Sequence, residues 1–224
     1  RVWEPIVLRM GVPGGFSDVL PGRRIRGLRR HGPYLVFAVP PFEMIVHFML
    51  AGFFRLDAKE PGPTRFRRLN RDHCFTLALH GPPMLHYLDS RRMGKIYVVN
   101  EGETSAIPGY DTQGTDVLGR DLMLHRFRES IAGRRHQTRV FLMDQSALSA
   151  IGNAYADEIL FAARIHPKTR CDQLREEQID ELYRSVVSIL VWGIEEVEAA
   201  DGGIDRKVRD HLKVRNRRGE PCPV

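Results

Sequence analysis

Hydrophobic residues between Val2 and Val99 come in short runs separated by glycine, proline and charged residues. The clearest runs are PYLVFAVP, MIVHFMLAGFFRL, CFTLALHG and KIYVVN. Short apolar runs bounded by turn residues are typical of β-strands, and no stretch in this region keeps a helical period. The pattern therefore predicts an antiparallel β-sandwich over residues 1–103.

The hydrophobic period changes in the second half of the chain. Residues 104–118 are rich in Gly, Thr and Asp and have no period, which predicts a linker. Beyond them the spacing predicts helices over 121–131, 153–167 and 176–199, a short apolar turn at 140–143 and a strand-like tail at 212–214. The predicted fold class is α+β with two domains, the second being helical over 119–203.

The charge balance is basic and dominated by arginine. Of 34 Lys and Arg residues only 5 are Lys, so 29 are Arg; against 28 acidic residues this gives a net charge of +6 and a pI near 9.5. Guanidinium groups bind phosphate through a planar fork, which favours nucleic acid as a partner. Charge alone is equally compatible with a role in solubility and with the codon bias of a GC-rich genome.

The cysteines define neither a disulfide framework nor a complete metal site, because Cys74, Cys171 and Cys222 are odd in number and far apart. Their use fits a reducing cytoplasm. No apolar stretch reaches the roughly 18 residues of a membrane span. We therefore predict a cytoplasmic protein without membrane contact.

The segment LMDQSALSAIGNAYADEILFAARIHP, residues 142–167, carries the clearest candidate chemistry. Small residues and Gly152 turn the chain, and Asn153 stands where a helix cap belongs. The free amide groups and partial positive charge of a new helix N-terminus form a site for an anion such as a DNA phosphate. On the alternative interpretation, Asn153 only caps its helix and Gly152 only permits the turn.

This segment closely resembles the helix-two-turn-helix signature of the formamidopyrimidine-DNA glycosylase (Fpg/Nei) family. GRRIRGLRRHGPYLVF resembles the family's paired strands, VHFMLAGFFRL its H-L-G-M-S-G-R-L strand, LDSRRMGKI its D-P-R-R-F-G loop, and RRGEPCP the start of its C-terminal zinc finger. The matches occur in the family's order. The resemblance implies a helix-two-turn-helix DNA-binding domain over 119–203 and the start of a zinc-finger region over 204–224.

The resemblance also implies two sets of DNA-contacting residues. One set would bind the DNA backbone, and the other would fill the gap left when a damaged nucleotide rotates out of the duplex. The first set comprises His47, Arg71, Arg135, Arg139, Gly152 and Asn153, and the second comprises Leu50, Arg91 and Met93. On the alternative interpretation, His47 is a core histidine and Leu50 and Met93 are ordinary apolar residues.

Three departures from the family pattern limit what the resemblance implies. The family's nucleophile, an N-terminal Pro followed by Glu, has no counterpart in residues 1–224, so we expect this chain as it stands to be inactive. The family's strand lysine aligns with Pro33, which has no ionisable side chain, so strand cleavage is in doubt. Cys222 matches the first of four zinc ligands; zinc is expected for the full-length family finger and none for this chain.

The leading functional hypothesis is a DNA glycosylase/AP lyase of base-excision repair that removes oxidised bases from duplex DNA by base flipping. Its chemistry would use an imine formed by the N-terminal Pro. The alternative is a catalytically inactive relative that binds damaged or abasic DNA, and a weaker third hypothesis is a translation-linked RNA-binding protein. The expected partner is double-stranded DNA with a damaged or abasic site, bound by a monomer in the bacterial nucleoid.

Overall fold

The computed structural model describes residues 1–58, 67–81, 83–200, 203–205, 207–215, 217 and 219–221. The chain divides into two compact units. One, called here the sheet unit, consists of Arg1–Asp111 and Gly202–Lys207. The other, the helical unit, consists of Thr112–Asp201 and Val208–Val224.

The sheet unit is built from two β-sheets. Its strands are β1 (Leu8–Met10), β2 (Gly27–His31), β3 (Tyr34–Val39), β4 (Phe42–His47), β5 (Phe53–Asp57), β6 (His73–Ala78), β7 (Met84–Leu88) and β8 (Lys95–Asn100). One sheet has the strand order β1-β8-β4-β3-β2, and the other has the order β5-β7-β6. Short apolar runs thus become strands, as the sequence pattern predicts.

Both faces of the five-stranded sheet are covered. One face packs on the three-stranded sheet through side chains such as Phe37, Phe75 and Val98. The other packs on the segment after β8 through Ile107 and Tyr110. Because β4 is buried on both faces, its apolar residues form a nearly continuous run and do not alternate with polar ones.

The sandwich differs from the antiparallel prediction at its first strand. β1 pairs in parallel with β8, in the register Leu8↔Ile96. Strands β2–β7 lie between these two partners along the chain, and this long connection permits the parallel pairing. A short helix, α1 (Phe16–Val19), and a 3₁₀ turn at Pro5–Val7 also interrupt the predicted strand region.

The helical unit is built around one hydrophobic core. Its elements are β9 (Thr115–Asp116), α2 (Leu124–Ile131), α3 (Thr138–Leu142), β10 (Leu148–Ser149), α4 (Asn153–Ala162) and α5 (Glu176–Ala199). Phe127, Phe141, Ile159 and Val186 bring the four helices together in this core. Gly193 is required where α5 crosses Tyr155, because a Cβ at this position would overlap the tyrosine ring. Among the described residues, none of the helices combines the length and the hydrophobicity that a membrane span requires.

Two segments differ from the sequence prediction for identifiable reasons. Part of the predicted linker, residues 112–118, lies in the helical unit, because Val117 is buried in its core and β9 pairs with β10. Residues 212–214 do not form the expected strand. Instead the buried carboxylate of Glu158 accepts the amide N–H groups of Lys213, Val214 and Arg215 at 2.9–3.2 Å.

A chain of hydrogen bonds between two buried histidines lies in the three-stranded sheet. Nδ1 of His73 accepts the N–H of Leu69 (3.1 Å), so its neutral ring carries the proton on Nε2, which lies 2.9 Å from Thr76 Oγ1. The same hydroxyl lies 2.8 Å from Nδ1 of His86. Burial, and then the neighbouring His86, lowers the pKa of His73 to about 4. His73 is therefore neutral in the fold at pH 7.

We expect acid to destabilise the sheet unit through His73. The unfolded histidine binds a proton below pH about 6.5, whereas the folded one resists protonation until about pH 4, so stability falls as the pH drops through this window. The full effect corresponds to about 3 kcal/mol. Roughly 2 kcal/mol of it should appear between pH 7 and pH 5, as measured by urea unfolding followed by the fluorescence of Trp3 in a Trp192→Phe background.

The matched variants are His73→Asn and His80→Asn. His80 is exposed, so its replacement should leave the pH dependence unchanged, whereas His73→Asn should flatten it. Equal pH dependence in all three proteins would contradict the assignment.

Candidate nucleic-acid interface

The loop after β4, residues 48–52, presents an apolar side chain to solvent. Leu50 is 53% exposed. The loop is held from within, since Gly52 N–H donates to the carbonyl of Phe48 at 3.0 Å. It is also held by Lys207 of the same unit, whose Nζ donates to the Leu50 carbonyl at 3.0 Å. The loop backbone therefore has a defined conformation, while the Leu50 side chain remains exposed to solvent.

His47, at the end of β4, is fixed in one tautomer. Its Nδ1 accepts the N–H of Met49 at 3.0 Å, so a neutral ring carries its proton on Nε2. Burial, and then the charge of Lys95 on the neighbouring strand, lowers the pKa of His47. The ring also packs edge-on against Tyr34. His47 is partly a packing residue, as the alternative interpretation has it, and retains one N–H donor that suits a phosphate oxygen.

The loop after β7, residues 89–94, is organised by a buried carboxylate. Asp89 is fully buried; its Oδ1 accepts the N–H of Arg91 at 3.0 Å and its Oδ2 accepts the N–H of Gly94 at 2.7 Å. Met93, between these two anchored amides, is 41% exposed. The loop thus presents Arg91 and Met93 from a rigid base.

The two arginines of this loop have different environments. Arg92 lies 3.1 Å from the carboxylate of Glu4, which also binds Arg68, and Arg92 donates to the carbonyl of Arg71 at 3.4 Å. Arg91 is exposed, and its guanidinium has no acceptor among the residues that the structure describes. Of this pair, only Arg91 has a guanidinium without an acceptor among the described residues, whereas Arg92 is partly exposed but paired. Arg71, beside the loop, is almost fully exposed, with Asp72 3.7 Å away.

Of the four non-glycine residues with positive φ in the described part of the chain, three lie in loops that carry candidate residues, and the fourth, Arg164, follows α4. Met49, Arg92 and Ala150 have positive φ angles of 51°, 53° and 80° without being glycine. Such conformations cost free energy and are common at functional sites. Met49 lies in the 48–52 loop, Arg92 in the 89–94 loop, and Ala150 in the turn before α4.

In the helical unit, Arg139 is an orienting group for Asn153. Its Nε donates to Asp157 at 2.7 Å, and another guanidinium nitrogen donates to Asn153 Oδ1 at 3.1 Å. Arg215 binds the second oxygen of Asp157 at 3.1 Å. Since the Asn153 oxygen accepts from Arg139, its amide NH₂ is left as a donor at the exposed start of α4.

The N-cap of α4 is Gly152, whereas the sequence predicted Asn153 as the cap. Gly152 has extended backbone angles and no side chain to cap the helix, and Asn153 is the first helical residue. The first helical hydrogen bond runs from Ala156 N–H to Gly152 O at 3.0 Å. The preceding amides of residues 153–155 have no acceptor within the described part of the chain. Together with the Asn153 amide they are free donors of the kind that an anion accepts from.

The turn before α4 is shaped by Gln145 and Asp144. The Gln145 side chain donates to Ile151 O (2.9 Å) and accepts from Ala150 N–H (2.8 Å), which holds the positive φ of Ala150. The Ser146 hydroxyl, together with its amide and Arg134, holds the pKa of Asp144 below its usual value. The turn is therefore rigid where it presents Gly152 and Asn153.

The remaining predicted residues have simple placements. Arg135 is exposed between α2 and α3. Pro33 is the second residue of the two-residue connection between β2 and β3, after Gly32 with φ 52°. Cys222 lies outside the described residues.

Two family models match the chain. One describes the formamidopyrimidine-DNA glycosylase N-terminal domain and matches residues 1–96. The other describes the formamidopyrimidine-DNA glycosylase H2TH domain and matches residues 114–203. A formamidopyrimidine-DNA glycosylase from Moorella thermoacetica is 32% identical over 232 residues, covering 100% of this chain and 82% of the relative.

The chain belongs to the formamidopyrimidine-DNA glycosylase family. A second relative, from Heliobacterium modesticaldum, is 31% identical and covers 98% of this chain and 83% of its own length. Both relatives are named as DNA glycosylases, the enzymes of base-excision repair. The family resemblance predicted from the sequence motifs is thereby confirmed.

Solved structures of the family share the fold. A complex between the Lactococcus lactis Fpg and DNA containing an abasic site has a TM-score of 0.83 and 25% identity, covering 100% of this chain and 82% of that one. The MutM (FPG) protein from Thermus thermophilus has a TM-score of 0.79 and 26% identity, covering 100% and 80%. The predicted fold class, a β-sandwich followed by a helical domain, is confirmed.

The zinc site that the family resemblance implies begins at Cys222, which lies outside the described residues. No three His, Cys, Asp or Glu side chains within the described ranges are grouped so as to hold a metal ion. Cys74 and Cys171 are buried in different units. Burial raises the pKa of Cys74 to about 11, which disfavours the thiolate that zinc binds.

Sequence reasoning did not find the residues that hold the candidate side chains in place. Asp89, Glu4, Gln145, Asp157 and Glu158 act as hydrogen-bond or ion-pair partners within the fold, and the family motifs drew attention to their neighbours instead. A weak signal existed for Glu158, which stands among apolar residues in the ADEILFAA helix. A charged residue on a predicted buried face normally has a polar partner.

Asp89→Asn should destabilise the sheet unit by roughly 1–3 kcal/mol, because one of the two loop amides would face an NH₂ group and lose its acceptor. Urea unfolding monitored by Trp3 fluorescence measures the change. Asp18→Asn is the matched control, since Asp18 accepts the N–H of Gly15 at an exposed position. An effect of Asp89→Asn no larger than that of Asp18→Asn would contradict the anchoring role.

Proposed function

We propose that this protein binds duplex DNA at an oxidised or abasic nucleotide and inserts Leu50, Arg91 and Met93 into the space that the extruded nucleotide leaves. The observation that carries the proposal is the contrast within the 89–94 loop. Arg92 is bound to Glu4, whereas Arg91 and the apolar Met93 are exposed on a backbone anchored by buried Asp89. An exposed guanidinium and exposed apolar side chains suit an unpaired base and an opened stack.

The helical unit would supply the grip on the DNA backbone. Asn153, oriented by Arg139, and the free amides at the start of α4 donate hydrogen bonds of the kind that phosphate oxygens accept. Arg135, Arg71 and the Nε2–H of His47 are further exposed or available donors. These contacts are independent of the base and would act on intact and damaged duplexes alike.

In the enzyme that we propose, the bound base is an oxidised one and its removal belongs to base-excision repair. The name of another Lactococcus lactis complex supports this assignment, since that Fpg was solved with DNA containing an oxidized pyrimidine. Opening the duplex costs a few kcal/mol and costs less at a damaged site. Discrimination would therefore arise from the cost of extrusion together with the Arg91 contact.

Arg91→Ala should weaken binding to an abasic duplex by about 1–3 kcal/mol and change binding to the intact duplex much less, because the contact forms only when the duplex is open. Arg92→Ala is the matched control with the same change in charge. Since Arg92 is held by Glu4, its loss should not lower the preference for the abasic duplex as Arg91→Ala does. Titrations of both variants against both duplexes measure the preference.

Arg139→Ala provides the contrasting case, because Asn153 loses its orienting partner in the complex with either duplex. Affinity for intact and abasic duplexes should fall by similar factors. Equal weakening of both duplexes by Arg91→Ala would make Arg91 one more backbone contact and would contradict the proposed insertion.

A second candidate function is a family member that binds damaged DNA without cutting it. The observation that favours it is Pro33, which stands where the family resemblance places a lysine. Proline lacks the amine that assists strand cleavage after base removal. Its place in the β2–β3 connection is exposed enough for a longer side chain, because Pro33 is only partly buried.

Pro33→Lys should raise strand cleavage at an abasic site in the protein as its gene encodes it, with Pro33→Ala as the control. If the first candidate holds, the unmodified protein should release oxidised bases while its strand cleavage is weak. If neither the unmodified protein nor Pro33→Lys releases oxidised bases, the binding function is the correct one. Gel analysis of oxidised and abasic duplexes separates the two activities.

A further inference from the structure

Tyr87, near the end of β7, has a buried hydroxyl that contributes no hydrogen bond to the sheet. The ring is fully buried, stacked on Phe75 at 5.2 Å and in edge contact with Phe54 at 5.4 Å. Its hydroxyl has no hydrogen-bond partner among the residues that the structure describes. Burial, and then the negative charge of Asp89, raises the pKa of Tyr87 far above its usual value, so the group stays protonated.

The hydroxyl lies between the backbones of two loops. A Cβ at Gly52 or at Gly94 would overlap the Tyr87 oxygen. Neither glycine has a positive φ, so both positions need glycine for space and not for backbone conformation. Gly52 ends the 48–52 loop and Gly94 ends the 89–94 loop. One oxygen atom therefore separates the two loops that carry Leu50, Arg91 and Met93.

A buried hydroxyl without a partner costs stability, because its hydrogen bonds to water are not replaced. A phenylalanine would keep the ring contacts with Phe75 and Phe54 and avoid this cost. What only the hydroxyl supplies is its contact with the Gly52 and Gly94 backbones. The group therefore has a spacing role that is separate from the stability of the sheet.

We propose that the Tyr87 hydroxyl is a positioning group that sets the separation of the 48–52 and 89–94 loops and so preorganises the three inserting side chains. This inference rests on the proposed function. Without the oxygen, a gap opens between the two glycine backbones and the loops move independently. Side chains that must enter one small space together tolerate little displacement.

Tyr87→Phe is the direct test. We expect the ratio of affinities for abasic and intact duplexes to fall about tenfold. The unfolding temperature should change little, because removal of the unpaired hydroxyl offsets the lost contact with the two glycine backbones. A fall in the ratio that comes with a lower unfolding temperature would assign Tyr87 a structural role and overturn the proposal.

The contact itself is tested without DNA by a double-mutant cycle. Gly94→Ala should lower the unfolding temperature because its Cβ meets the hydroxyl, and it should do so less in the Tyr87→Phe background. Gly27→Ala is the control: its Cβ would meet only the Cβ of Ala38 at 4.0 Å, so its effect should not depend on residue 87. Equal effects of Gly94→Ala in both backgrounds would overturn the contact.

The two proposals fail in different ways. If the unmodified protein does not prefer abasic DNA, the proposed function is wrong, whatever the cycle shows. If Arg91→Ala abolishes the preference while Tyr87→Phe leaves it intact, the proposed function stands and the positioning role of Tyr87 is wrong.

Discussion

Asp89 has no exposed surface, and both of its carboxylate oxygens accept backbone N–H groups of the loop that follows it. Glu158 has the equivalent role in the helical unit, where it accepts three amides of the 213–215 segment. A buried carboxylate is tolerated only when such donors replace its lost hydration. The exposed candidate residues depend on these anchors, because a loop without fixed amides would not hold Arg91 and Met93 in one place.

Arginine, the residue that dominates the charge, serves two purposes in this fold. Arg92 and Arg139 direct their guanidinium groups to Glu4, Asp157 and Asn153, and so belong to the scaffold. Arg91 remains without a protein acceptor in the described ranges. The basic net charge therefore overstates the number of groups available to phosphate. Which arginines bind DNA is decided by the carboxylates near them and not by the count.

The fold class could be predicted from the hydrophobic pattern, because strand and helix periods follow from which faces are buried. Glu176–Ala199, for example, forms the helix that its period predicts. The parallel pairing of β1, the place of Val117 in a core and the loss of the 212–214 strand could not, since each depends on contacts between residues far apart in sequence. Motif matching named exposed residues of the candidate site, whereas Tyr87 and Asp157 emerged only from distances in the fold.

In the proposed function, one set of residues meets the DNA backbone and another meets the opened duplex. Amide hydrogen exchange of the protein, free and bound to intact or abasic duplex, distinguishes the two sets. We expect residues 153–155 to be protected by both duplexes, whereas the loop amides of Leu50, Ala51 and Met93, which have no acceptor among the described residues, should be protected only by the abasic one. Equal protection of these loops by both duplexes, or none at the start of α4, would contradict it.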